Sequence, residues 1–375
     1  NYITLYHLIF VVKIKNNMRV CILGSGISCL TLAKALVNLK INVDIKVSAN
    51  SFQKGKSRTI GISKSNLEFF NRNIINIDKI TWKLRQIDIF SDRLKKEKLL
   101  NFENGKNQLF SILRNYQLYD ILERSLKKNK YFKIINFKRK NTYFEKYDIV
   151  IVTDYFNPIA KKYFNKQIIK KYNSFAYTTI IEHQSITNDI ATQIFTKDGP
   201  LAFLPVSKNK TSIVYSLNNS NLFASKQIKD LIHNHNFKYK IKKINKIESF
   251  ELKSFNLRSY YNKKFLAFGD LLHRVHPLAG QGFNMTIRDI KIFLNLIQDR
   301  ANLGLNIDSS INYQFENKTK HRNFIFTNGV DFIHEFFNLE RKINNDTISK
   351  SIQFLGKNSS INKVFIALAD KGILI

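Results

Sequence analysis

Arg19-Val20-Cys21-Ile22-Leu23 is a short apolar run of strand character, and Gly24-Ser25-Gly26 follows it at once. Leu30, Ala33, Leu36 and Val37 then recur at helical spacing, after which Val43, Ile45 and Val47 alternate as a second strand. Strand, glycine turn, helix and strand in immediate succession commit the start of the chain to a βαβ unit and a parallel sheet. Two later runs, Tyr147 to Val152 and Lys264 to Phe268, read as buried strands that suit the same sheet. A doubly wound domain is thus assembled from segments far apart in the chain.

Between about residues 172 and 260 the period changes. Thr178 to Glu182, Ala202 to Val206 and Ser212 to Leu217 alternate, with turns at Asp198-Gly199 and Lys208-Asn209, which predicts an antiparallel sheet. From Ile307 onward polar and apolar residues mix at helical spacing, without repeats or glycine-rich linkers. A chain of 375 residues is too long for one mini-domain, and these three patterns predict three lobes.

No stretch offers the ~18 uninterrupted apolar residues of a spanning helix, so a soluble or peripheral protein is expected. Residues 1–17 lack the order of a secretory signal and read as an extension outside the fold, with Met18 as the natural start. Cys21 and Cys29 are the only cysteines, so no disulfide framework is implied and a reducing cytoplasm fits. Lys and Arg total 61 against 28 acids, a net charge of +33, which first suggests a polyanion partner. The charge is spread along the chain, however, and Lys, Asn, Ile, Phe and Tyr are abundant while Gly (13) and Pro (4) are scarce. That is the residue usage of AT-rich codons, and with no helix-turn-helix, zinc or RNA-binding pattern beside it no nucleic-acid partner is expected.

Chemistry enters at the first turn. Gly24 permits its tight geometry, Gly26 lets phosphate oxygens approach the backbone, and the following helix N-terminus presents free N–H groups and partial positive charge. This is where a dinucleotide fold seats its pyrophosphate, although Cys29 replaces the third glycine of the fingerprint and an ordinary strand-to-helix turn is the alternative. A ribose-binding acid is expected at the end of the second strand. Asp44 has the right separation but sits early in that strand, which ends in Val47-Ser48, so a solvent-facing strand residue is the competing reading.

The second chemical segment runs from Phe268 to Asn284 and leads into a helix over Met285 to Gln298. A strand ending at Gly269-Asp270 presents a carboxylate that can accept hydrogen bonds from the ribityl hydroxyls of a flavin. Pro277, Gly280 and Gly282 then turn the chain so that amides at the helix start face an isoalloxazine ring, whose reduced form carries negative charge near N1 and the C2 carbonyl. His273 and His276 have a spacing that suggests metal ligands, but no Cys or carboxylate set accompanies them, and positioning beside a flavin is the better reading.

Phe268 to Asn284 resembles the G-D-A-x-H-x-x-H-P-x-x-G-Q-G-x-N stretch of class A flavoprotein monooxygenases, and within that class the ubiquinone-biosynthesis hydroxylases. Arg58 to Ser63 resembles their R-x-x-A-L-S, Asp198 to Pro205 their G-P-x-A-x-L-P, and Asp154 their internal D-G, in the same order from Met18 onward. The resemblance implies an α/β fold with an interrupted, Rossmann-like FAD/NAD(P)-binding domain (18–84, 114–171 and 261–305). It adds an antiparallel-sheet substrate domain (85–113 and 172–260) and a helical C-terminal lobe (306–375). It implies FAD as cofactor, NAD(P)H as electron donor, and hydroxylation of the aromatic ring of a polyprenylated ubiquinone precursor through a flavin hydroperoxide.

The cofactor-binding residues so implied are Gly24, Gly26, Cys29, Arg58, Asp270, Gly280, Gln281, Gly282 and Asn284. No catalytic side chain is assigned, with Arg58, His276 and Pro277 the candidates beside the flavin, and no metal is expected. Leu271, Leu272, Tyr155, Cys29 and Val47 depart from the family pattern. Two other functions are weighed: a flavin-dependent reductase or epoxidase of isoprenoid lipids, and a non-catalytic basic scaffold in quinone biosynthesis. The implied location is the cytoplasm, with peripheral contact to an anionic inner membrane or to a ubiquinone-biosynthesis complex. Val364 to Leu368 and Ile373 to Ile375 are candidates for that contact, with packing on the FAD domain as the alternative.

Overall fold

The computed structural model describes residues 18–47, 57–94, 97–103, 108–136, 143–217, 223–276, 280–343, 347–356, 363, 366–367 and 370–372. Three sheets organise it. The first has six strands: β1 (Arg19–Leu23), β2 (Asn42–Val47), β8 (Phe132–Asn136), β9 (Ile149–Val152), β16 (Tyr261–Asn262) and β17 (Phe265–Ala267). Their spatial order is β16-β17-β9-β1-β2-β8, and every pairing is parallel except the β16-β17 hairpin. Buried on both faces, its inner strands read as unbroken apolar runs, Ile149 to Val152 all inaccessible. The expected doubly wound domain with interrupted sequence is what forms.

The second sheet has nine strands: β5 (Gln86–Ser91), β6 (Lys98–Glu103), β10 (Gln167–His183), β11 (Ile190–Thr196), β12 (Gly199–Ser207), β13 (Lys210–Leu217), β14 (Ile241–Ile244), β15 (Glu248–Leu257) and β18 (His273–Arg274). All its pairings are antiparallel except β5 with β11. Gly199 starts β12 at φ +143, and a Cβ there would lie 1.9 Å from the Ser216 carbonyl oxygen, so only glycine lets β12 enter beside β13. A third, small antiparallel sheet contains β3 (Thr59–Ser63), β7 (Phe110–Arg114) and β4 (Thr81–Leu84).

Eight α-helices complete the described chain: α1 (Ile27–Asn38), α2 (Lys64–Asn73), α3 (Asn115–Lys127), α4 (Pro158–Tyr163), α5 (Ser225–His235), α6 (Gln281–Asn302), α7 (Ile311–Ile343) and α8 (Thr347–Gly356). α1 packs on α3 and α6, and α6 packs in turn on α7, so the helical C-terminal part closes over the first sheet. Leu271 and Leu272, large where the family has small residues, lie fully buried in that core. β18 is the junction: His273 and Arg274 follow directly on β17 of the first sheet yet pair with Asn256 and Phe255 of the second. The segment singled out for the flavin therefore bridges two domains.

Candidate functional site

The first turn has the geometry its glycines allow. Gly24 sits at φ +146, and a Cβ on it would stand 2.1 Å from Oγ1 of Thr153, the residue that follows β9. Gly26 caps α1 with no side-chain hydrogen bond, and a Cβ on it would meet nothing within 4 Å. The first turn of α1 therefore has no side-chain cap, and the backbone at Gly26 is open to close approach, the arrangement an anion needs. Cys29 faces inward: its thiol donates to the Gly24 carbonyl at 3.4 Å, and burial pushes its pKa well up. It fills the place of the third glycine by pinning the turn from behind.

Asp270 stands at the exposed end of a short 3-10 turn after β17 and accepts a hydrogen bond from Ser28 Oγ at 3.3 Å. Gly269 before it adopts φ +61, and a Cβ there would come 2.7 Å from the Cβ of Ser28. Asp270, Gly24 and Gly26 are thus gathered around the N-terminus of α1. A recess beside them is lined by Ser25, Val47, Tyr119, Glu123 and Ile134.

The N-terminus of α6 is the second half of the site. Gly280 is left-handed (φ +62), and its Cα-H face lies against Gly61 of β3, where a Cβ would sit 3.4 Å from the Gly61 nitrogen. Asn284, fully buried, is committed to the protein. Its Oδ1 accepts from the Ser63 N–H (3.0 Å) and the Asn66 amide (3.0 Å), and its Nδ2 donates to the carbonyls of Gly61 (3.1 Å) and Gly280 (3.3 Å). Gln281 is also buried and accepts from Arg288 at 3.0 Å. Both side chains hold the helix start in place and leave the backbone amides of the first turn, Gly282 among them, to meet a ligand.

Arg58 stands apart. It is exposed, and its guanidinium lies 4.7 Å from the centre of the Phe250 ring on β15. His276 is buried edge-on against Tyr172 at 5.0 Å, and Pro277 lies outside the described residues. Asp44 accepts from the Tyr147 hydroxyl at 2.7 Å and faces Lys146 at 3.7 Å, so its carboxylate is engaged inside the domain, in a half-buried position. Asp154 accepts from the N–H of Phe156 at 2.9 Å and stabilises the turn after β9, with Tyr155 exposed beside it.

Three pairs escaped the sequence reading. His273 meets Asp289 of α6 at 2.6 Å with both side chains 1% exposed, and Asn323 of α7 donates to the other Asp289 oxygen at 3.1 Å. Tyr172 donates to Asp331 of α7, which also accepts from Ser254 at 3.4 Å. Burial raises the Asp331 carboxyl above its usual range. Asp370 accepts from the Ser65 N–H (2.9 Å) at the start of α2, and its carbonyl takes both Ser63 and Ser65 hydroxyls (3.0 Å each). Of the candidate membrane contact at this end, Val364, Phe365, Leu368 and 373–375 lie outside the described residues, whereas Asp370 and Gly372 pack on α2 and α6. Among the described residues no helix is long and apolar enough to cross a membrane.

Residues 181–298 match a family model described as FAD binding domain. The fold is shared across almost the full chain with p-nitrophenol 4-monooxygenase PnpA from Pseudomonas putida (TM-score 0.75, 10% identity, 96% of this chain and 100% of that one). It is shared also with Klebsiella pneumoniae HpxO, solved with FAD and uric acid (TM-score 0.71, 11% identity, 94% and 97%). The chain therefore has the fold of these oxygenases, and its residues 181–298 resemble a FAD binding domain.

Its sequence relatives narrow the class. The chain is 27% identical over 171 residues to the 3-demethoxyubiquinol 3-hydroxylase of Escherichia coli (42% of each chain). It is 24% identical over 232 residues to the ubiquinone biosynthesis monooxygenase COQ6 of Drosophila melanogaster (51% of this chain, 49% of that one). The chain spans about half or less of the length of these curated relatives. By sequence it is thus similar, over part of its length, to proteins named for hydroxylation in ubiquinone biosynthesis.

Proposed function

We propose that this chain is a FAD-dependent monooxygenase that hydroxylates the aromatic ring of a polyprenylated ubiquinone precursor, with NAD(P)H as the electron donor. The observation that carries the reading is the meeting of Asp270 with the uncapped N-terminus of α1, through Ser28 at 3.3 Å, while Gly280 opens α6 against β3 on the other side. The first place suits a pyrophosphate and ribityl chain and the second a ring that gains negative charge on reduction. The substrate class comes from what the relatives are named for.

Bound FAD would supply the dioxygen chemistry. The chain's own residues have the tasks of binding and orientation. Gly24, Gly26 and the first turn of α1 hold phosphate, and Asp270 accepts from hydroxyls. Asn284 and Gln281 fix the α6 N-terminus so that its amides stay aimed at one place. His276, buried against Tyr172, packs the wall where the flavin segment meets the substrate sheet.

The test is oxygen uptake by purified protein supplied with FAD, NADPH and a short-chain prenylated phenol, with products resolved by mass. Incorporation of one labelled oxygen atom from dioxygen into the ring is expected. Flavin reduction without labelled ring product would turn the reading to a reductase, and an inability to take up FAD would turn it to a scaffold.

A further inference from the structure

α7, the longest described helix, runs for about nine turns and leaves a row of large apolar side chains exposed. α7 buries Ile311, Phe315, Thr319, Asn323, Thr327 and Val330 against the protein, which is the inward stripe of an amphipathic helix. On the opposite side Ile325 (43% exposed), Phe332 (67%) and Leu339 (49%) follow one another at intervals of seven residues, so they form a single outward stripe. Leaving such large apolar side chains contiguous in water is unfavourable, and the usual explanation is a surface that covers them.

The charge around the stripe decides what kind of surface. At its N-terminal end a groove of about 460 Å³ between α6 and α7 is lined by Lys318, His321 and Arg322 together with Ile292, Asn295 and Asn317. Lys318, His321 and Ile325 share the outward face one turn apart. Glu335, at the edge of this row, pairs with Lys170 of β10 at 3.2 Å. A second copy of the chain would bring another +33 against these cations, whereas an anionic surface would be drawn to them.

We propose that the outer face of α7 is a docking surface for an anionic lipid bilayer, with Ile325, Phe332 and Leu339 entering the interface and Lys318 and Arg322 meeting phosphate headgroups. This deepens the functional reading above and rests on it for its purpose, because a polyprenylated phenol dissolves in the bilayer. The arrangement is that of an interfacial helix whose apolar side is buried and whose cations stay at the headgroup level.

The test is flotation of the full chain with phosphatidylcholine vesicles, with and without phosphatidylglycerol, with FAD uptake measured on the same samples. The chain is expected to float with the anionic vesicles and to be released as salt rises. Ile325→Ser combined with Phe332→Ser should weaken partitioning by roughly tenfold or more while leaving FAD uptake and melting temperature unchanged. Lys318→Glu with Arg322→Glu should abolish the preference for anionic lipid. Failure of the native chain to float, or flotation of the serine variant like the native chain, overturns the proposal. So does a dimer that the serine variant abolishes, since the face would then serve a second copy. Normal FAD uptake in any of these cases leaves the flavin reading standing, and its absence in the native chain counts against that reading separately.

Discussion

Asn284 and Ser63 lie 221 positions apart in the chain, yet the Asn284 side chain accepts the Ser63 backbone N–H at 3.0 Å inside the protein. The same side chain donates to Gly61, so β3 and the start of α6 are held as one piece. Asn284→Ala strands the Ser63 N–H, the Asn66 amide and the Gly61 carbonyl, each at about 1–3 kcal/mol when buried. A loss of about 3 kcal/mol or more in urea unfolding is expected, together with weakened FAD binding. Asn284→Asp keeps both acceptor contacts and should fall between the two; equal stability of all three proteins would show that the contacts carry no weight.

The His273–Asp289 pair is sealed from water at 1% exposure on each side and joins β18 to α6. Removing one member of a hydrogen-bonded pair this deeply buried strands the polar atoms of the other, at about 1–3 kcal/mol. His273→Ala is expected to lose that much, and His273→Ala with Asp289→Leu to recover part of it, because the double change removes both polar groups. A double variant less stable than His273→Ala would contradict the pairing.

Gly26 separates fold from binding. Its backbone is ordinary (φ −74°, ψ 176°), and a Cβ there touches nothing within 4 Å, so Gly26→Ala should leave the stability of the FAD-free chain within about 0.5 kcal/mol of native. If phosphate approaches this backbone, the added methyl group stands in its way, and FAD affinity should fall by roughly tenfold or more. Titration of FAD fluorescence on both proteins reads the effect.

Asp331 gives a pH dependence of defined sign. Burial raises its carboxyl pKa in the folded chain above the unfolded value, so its contribution is full below the unfolded pKa and is lost as pH rises through the folded one. At neutral pH the ionised group weighs against folding relative to an amide that can still accept the Tyr172 hydroxyl. Asp331→Asn should therefore be more stable than native at neutral pH, with the gain shrinking as the solution is acidified through the carboxylate range. A gain that grows on acidification would reverse the assignment.

Much of this architecture was readable because its signals are local. The β1 run, the glycine turn and the α1 periodicity sit within one stretch, and alternation over Thr178–Glu182 and Ser212–Leu217 is the period-two pattern that pairs β10 with β13. Asp270 at a strand end was legible for the same reason. What stayed hidden depends on partners distant in the chain. Nothing near His273 announces Asn323, nothing near Ser65 announces Asp370, and Asn284 sits in a flavin motif while its side chain serves β3. Asp44 likewise has a partner that its neighbours do not announce, the Tyr147 hydroxyl from a segment about a hundred residues later.

In the proposed function, the turn at Gly24–Gly26 and the carboxylate of Asp270 hold FAD. Equilibrium titration of the purified chain with FAD, followed by protein and flavin fluorescence, measures this directly. Saturable binding of one FAD per chain is predicted, weakened roughly tenfold or more by Asp270→Ala with the fold intact. Binding that never saturates, or that is the same in Asp270→Ala, would contradict it.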